Sequence, residues 1–250
     1  MPNGQGFQYS FGHMGGCIDN YSHFFYWNGP NRHDLWRNGE EVFYDGEFFP
    51  DLMVKEAANF MEKNKDKPFF LYVPFSAPHF PADAHPKWKG KSKNEAYGDV
   101  VEELDSRIGE ILAALDKKGI ADETIVVFTS DNGPWKLKKR ELGGHADPLR
   151  GFKFQTYEGG MRVPCIMRWP AKIPAGTRCD RIASTIDLLP TFAALTGAGV
   201  PDDRVIDGVD LSALLAGDKD ANPRDHFFYY AANRTEVQAV RVGKWKLRLD

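Results

Sequence analysis

Apolar residues along the chain recur in two rhythms. Val101, Leu104, Ile108, Ile111, Leu112 and Leu115 fall three and four residues apart, with Glu102, Glu103, Arg107, Glu110, Lys117 and Lys118 on the remaining positions. That spacing lays one apolar stripe along a helix, and Gly119 is suited to close it. Leu52, Ala57, Phe60 and Met61 repeat the same period after Pro50, predicting a helix from Asp51 to about Asn64 with Asp51 as its cap. Two shorter runs have no such period. Phe69–Val73 and Thr124–Thr129 are apolar and rich in β-prone side chains, which predicts buried strands. Strand, long helix and strand in that order make a βαβ crossover, so the two strands are expected to run parallel and to be covered on both faces.

Further along, Val163–Trp169 reads as another strand, and Asp187–Leu195 as a helix with an early Pro190 and a closing Gly197. Past Gly217 the pattern changes. Phe227–Tyr230, Val237–Val242 and Trp245–Leu249 read as three strands, the last two joined by a turn at Gly243-Lys244, forming a small antiparallel sheet. The expected division is therefore residues 1–217 as the α/β body and 218–250 as the start of a C-terminal antiparallel subdomain. Residues 1–47 are rich in Gly, Asn, His and aromatic residues with little periodicity, and predict a long irregular segment.

Composition narrows the classes. At 250 residues with 42% hydrophobic content, a compact chain buries roughly 70–75% of its unfolded surface and needs no disulfide scaffold. A formal charge of −3 argues against a nucleic-acid partner, which calls for a concentrated basic excess. The one basic run, Lys136, Lys138, Lys139 and Arg140, reads as a solvated loop or as a cationic rim for anionic substrates. No stretch approaches the ~18 apolar residues of a membrane span. Cys17, Cys165 and Cys179 are too few and too scattered for a disulfide framework or a zinc site.

Chemistry concentrates where the apolar runs end. Ser130-Asp131-Asn132-Gly133 follows the 124–129 run directly, and ligands of open α/β sheets bind beyond strand C-termini. One charged and one neutral oxygen donor suit a hard cation such as Ca²⁺ or Mg²⁺. The same Asp-Asn-Gly is also good turn chemistry. Ala77-Pro78-His79-Phe80-Pro81 follows the other run, where a histidine between prolines can donate to an anion or a leaving group, or simply pack. Gly151, Gly159 and Gly160 permit close backbone approach around Lys153, whose ammonium is either a point charge for an anion or a surface group. Tyr26, Trp27, His33 and Trp36 shape a sugar pocket or pack within their loop.

Taken in order, these segments resemble the sulfatase family, in the arylsulfatase and carbohydrate-sulfatase branch of the alkaline-phosphatase-like superfamily. The resemblance runs from Gly6-Phe7 and Phe11-Gly12 through Lys67–Phe70, Pro78-His79, Phe128–Gly133, Arg150–Lys153, Tyr157–Gly160 and Asp187–Thr191 to Asp207-Gly208. It implies an α/β fold with a mixed sheet flanked by helices. It also implies sulfate-ester hydrolysis by a formylglycine made from a Cys-X-Pro-Ser-Arg motif, with Ca²⁺ as cofactor and a sulfated carbohydrate or aryl sulfate as substrate. Carried over residue by residue, Asp131 and Asn132 become Ca²⁺ ligands, His79 and Lys153 catalytic contacts to the sulfate group, and His145 a substrate-binding residue. Family members point to a periplasmic or secreted location.

The departures from the pattern are equally definite. None of Cys17, Cys165 or Cys179 is followed by Pro and Arg at the required places, and the family's paired N-terminal aspartates have no match. Gly243-Lys244-Trp245-Lys246 echoes the family's Gly-Lys-Trp-His segment without its histidine, and reads as turn and strand. The nucleophile-bearing portion is therefore expected upstream of Met1, leaving this chain inactive alone. The competing readings are a non-catalytic relative that binds anionic glycans or a partner, and a phosphatase or phosphodiesterase of the same superfamily.

Overall fold

A computed structural model describes residues 1–136, 143–231 and 235–249, which fall into two compact units, Met1–Ala121 and Asp122–Asp250. The first unit opens with short pairings: β1 (Phe11–Gly12), β4 (Trp36–Arg37) and β5 (Glu40–Glu41) form one antiparallel sheet, and β2 (Phe24–Phe25) pairs with β3 (Arg32–His33). Two-residue strands are what a segment without alternation can support. Polar groups inside the loop do much of the remaining work. The buried Asp34 carboxylate accepts from Met14 N–H at 3.2 Å, Gly15 N–H at 2.6 Å and Trp36 Nε1–H at 2.7 Å.

Helix α1 (Phe49–Asn64) packs against β1 of this base, and helix α2 (Glu95–Lys117) packs against α1. Ile18, Leu35, Phe49, Leu52 and Met53 form the core, with Val73 and Phe75 packed against it. The predicted cap of α1 is corrected: Phe48 is the N-cap, while Asp51 lies in the first turn and its carboxylate pairs with Arg107 of α2. Pro50 explains the earlier start, since a proline in the first turn lacks only an N–H that the helix would leave unpaired. Gly119 closes α2 at φ 69°, as its position predicts.

Residues 69–73 do not form a strand within this unit. Exposure nevertheless alternates, with Phe70 at 58% and Tyr72 at 67% exposed, while Phe69 stacks edge-on to Phe60 of α1. The period of two is present without a ladder.

In the second unit, β6 (Val126–Thr129) pairs antiparallel with β7 (Cys165–Arg168), Thr129 opposite Cys165. Burial on both faces is corrected here, because Phe128 and Ile166 are exposed; among the described residues β6 and β7 form a sheet of two strands, each four residues long. Helix α3 (Glu158–Met161) lies between these two strands in the chain, and α4 (Leu188–Thr196) and α5 (Ser212–Leu215) follow them. A capping box between Ser184 and Asp187 introduces α4. Asp187 is fully buried, and its carboxylate accepts from Arg224 Nε at 3.0 Å and Val209 N–H at 2.9 Å. The three C-terminal strands are as predicted: β8 (His226–Tyr230), β9 (Val237–Val242) and β10 (Trp245–Arg248), in antiparallel order 10-9-8. The three cysteines are free thiols. Among the described residues no helix is long and apolar enough to cross a membrane.

Candidate active site

Three glycine-bearing stretches of the second unit meet main chain to main chain. Gly133 N–H donates to Gly160 O at 2.9 Å, Lys153 N–H to Pro134 O at 2.8 Å, and Gly159 N–H to Arg150 O at 2.8 Å. There is no room for side chains at this junction. A Cβ on Gly133 would run into the Gly159 carbonyl, one on Gly159 into the Gly151 and Arg150 carbonyls, and one on Gly160 into those of Gln155 and Phe152. Gly151 also needs its φ of 95°, a left-handed conformation that side chains resist. The glycines noted in the sequence thus allow the loops carrying Asp131-Asn132 and Lys153 to be joined as one body.

On this body Asp131 is exposed and Asn132 half-buried. Asn132 Nδ2 donates to Gly133 O at 2.9 Å, which turns its Oδ1 into the side-chain atom left for an outside partner. A carboxylate and an amide oxygen side by side form an all-oxygen donor pair, which fits a hard cation of the Ca²⁺ type. They are two donors of the six to eight that Ca²⁺ takes, and among the described residues no three His, Cys, Asp or Glu side chains converge on a metal position. Lys153 is half-buried, its Nζ lying 5.4 Å from the Phe154 ring centre. His145, in the same unit, is exposed with Nδ1 3.9 Å from Asp147 Oδ2. Of the basic run, Lys136 lies 5.8 Å over the Phe152 ring, while Lys138, Lys139 and Arg140 fall outside the described residues.

His79 belongs to the first unit. Its Nδ1 sits 2.7 Å from Phe80 O, a contact that requires the proton on Nδ1, so Nε2 becomes a donor only when the ring carries its second proton. In the same unit His33 bonds Glu41 at 2.9 Å and stacks on Phe43, and Trp36 donates to Asp34. Packing within the loop therefore accounts for these two. Tyr26 and Trp27 are exposed.

Sequence reasoning assigned no role to Glu158. Its carboxylate accepts from Tyr229 Oη at 2.7 Å, Arg241 Nη1 at 2.8 Å and Lys246 Nζ at 2.9 Å. Burial alone would raise its pKa, but the bonds from Lys246 and Tyr229 and the charge of Arg241 hold it below the usual glutamate range. Burial and the Glu158 carboxylate together push the Tyr229 phenol well above its ordinary value. Beside them, Arg150 and Arg248 each lie 4.2 Å over the ring of Tyr157. The available signal was Lys246 and Arg248 alternating on one face of β10, with Arg241 opposite Lys246 in register. So many cations on one sheet face call for an acid.

Comparison with known proteins converges on one family. The sulfatase family profile matches residues 2–198, and that of the N-sulphoglucosamine sulphohydrolase C-terminal region matches residues 152–247. This chain belongs to the sulfatase family. Mouse (Mus musculus) steryl-sulfatase is 43% identical over 193 residues, which is 76% of this chain and 31% of that protein. Among solved structures, Ps i-CgsB in complex with k-i-k-neocarrahexaose aligns with a TM-score of 0.81 at 33% identity, covering 98% of this chain and 58% of that one. The PsFucS1 sulfatase from Pseudoalteromonas sp. aligns with a TM-score of 0.78 at 30% identity, over 86% of this chain and 44% of that one. The fold is the alkaline-phosphatase-like fold of these proteins. The chain spans about a third of the length of the curated relatives it matches, 31% for the mouse protein.

Proposed function

We propose that this chain supplies the cation-binding and sulfate-facing part of a sulfuric-ester hydrolase whose nucleophile lies on polypeptide beyond the residues present here. The observation that carries the reading is the glycine junction, because it joins the carboxylate–amide pair and Lys153 in a chain of the sulfatase family. Asp131 and Asn132 would hold Ca²⁺, which supplies neutralisation of charge on the sulfate oxygens. Lys153, fixed through its own backbone N–H to Pro134, offers an ammonium to the oxygen that departs with the alcohol. His79, protonated on Nδ1 toward Phe80 O, offers Nε2 to the sulfate group once the ring is an imidazolium. His145 would line the approach. Sulfated carbohydrate is the substrate class proposed, in keeping with the carbohydrate bound to Ps i-CgsB, and the location proposed is periplasmic or secreted.

None of the three cysteines stands in a Cys-X-Pro-Ser-Arg context, so the formylglycine of this reading must come from elsewhere. Reading the coding sequence upstream of Met1 is expected to show that motif and a pair of aspartates in frame. The 250-residue chain alone is expected to give no turnover. An in-frame stop with no homologous region would overturn this, and turn the reading toward a relative that binds anionic glycans without cleaving them.

A further inference from the structure

Residues 156–158 are tied to every strand of the C-terminal sheet. Tyr229 of β8, Arg241 of β9 and Lys246 of β10 converge on the Glu158 carboxylate, while Lys246 Nζ also donates to Thr156 O at 2.5 Å and Arg248 Nη1 to Thr156 Oγ1 at 3.0 Å. The next two residues are Gly159 and Gly160, against which Gly133 is seated. Between the Glu158 anchorage and the Asp131-Asn132 loop there are no side chains to take up slack. A shift of Gly159 and Gly160 therefore passes to Gly133 through carbonyl contact and the Gly133 N–H to Gly160 O bond.

The chemistry of the anchorage also favours a geometric role. Charge-assisted hydrogen bonds are directional, whereas ion pairs withdrawn from water often add little net stability over apolar packing of similar volume. We propose that Glu158 is a positioning residue: clasped by Tyr229, Arg241 and Lys246, it sets the seat of the Asp131-Asn132 loop, which makes the C-terminal sheet a working part of the site. The consequence for cation affinity rests on the reading of Asp131 and Asn132 given above; the consequence for the loop itself does not.

Amide hydrogen exchange on the full chain tests it, comparing wild type with Glu158→Gln and, as a milder second variant, Lys246→Met. Thr191→Val serves as the control, since it removes the buried bonds from Thr191 Oγ1 to Asp187 O and from Leu211 N–H to Thr191 in the same unit. Exchange at Gly133 and Lys153 is expected to rise about tenfold or more in Glu158→Gln and detectably in Lys246→Met, with α4 amides little changed, as local opening requires. In Thr191→Val the order reverses. Gly133 and Lys153 exchanging no faster than α4 in both clasp variants would overturn the proposal, as would equal acceleration there in the control. Calcium titration of the same substitutions in the longer polypeptide, which would supply the remaining donors, separates the two readings. Weaker binding in Glu158→Gln supports both, whereas a wild-type polypeptide of that length that binds no Ca²⁺ removes the cation reading and leaves the exchange data to decide the positioning.

Discussion

Gly133→Ala is expected to destabilise the second unit by about 3 kcal/mol, at the upper end of overpacking costs, because the added methyl meets main chain and not a yielding side chain. The backbone itself is no obstacle, since Gly133 is absent from the positions with positive φ. The entire penalty comes from the Gly159 carbonyl and from Gly160 Cα, which a Cβ on Gly133 would approach to 3.0 Å. Relief requires Gly133 to leave Gly160, breaking their hydrogen bond and releasing the loop that carries Asp131 and Asn132. Gly199→Ala is the matched control: nothing lies within 4 Å of its added Cβ and its φ is not positive, so it should be neutral or stabilise by about 0.4–1 kcal/mol. Denaturant midpoints with unchanged slopes measure both. Equal midpoints for the two variants would show that the junction is looser than described.

The second large effect is a split between two substitutions in the longer polypeptide proposed to hydrolyse sulfate esters. Asp131→Asn keeps the shape of the side chain and removes its charge. It is expected to weaken Ca²⁺ by more than ~100-fold, since even residues that only support metal ligands are worth 10–100-fold. Part of the lost activity should return at high Ca²⁺. Lys153→Met keeps the cation and loses the ammonium, so kcat should fall about 10²–10³-fold with the Ca²⁺ dependence unmoved. Activity titrated against Ca²⁺ reads the difference. A Lys153→Met enzyme rescued by Ca²⁺, or an Asp131→Asn enzyme with wild-type affinity, would exchange or remove these roles.

Much of the scaffold was legible because its signals are local. The three-and-four spacing from Val101 to Leu115 gave α2 directly, and Gly119 and Gly197 closed their helices in the left-handed conformation. The three C-terminal strands and the turn at Gly243 followed from short apolar runs with turn residues between them. Pairing was harder to read. The run at 124–129 is a strand, but the parallel pairing expected with 69–73 is corrected: among the described residues it pairs with β7, antiparallel, because register and partner depend on residues nearly forty positions away. Asp51 looked like a cap and proved to be the partner of Arg107, a choice made between two helices and not within one.

The candidate site divides in the same way. Asp131, Asn132 and Lys153 stood out by their place after an apolar run and among glycines, while the bonds that join their loops are backbone bonds that no side chain announces. Glu158 escaped because its three partners lie 71 to 88 positions downstream. Only the unbalanced cations of β9 and β10 hinted at it.

The most direct test of the account is hydrolysis of 4-nitrophenyl sulfate and 4-nitrophenyl phosphate measured in parallel. The protein assayed is the polypeptide proposed to include these residues and a nucleophile-bearing region, with saturating Ca²⁺ and after chelation. Cleavage of the sulfate in preference to the phosphate is expected, lost on chelation and restored by Ca²⁺. Preference for the phosphate, with activity restored by zinc and not by Ca²⁺, would contradict it.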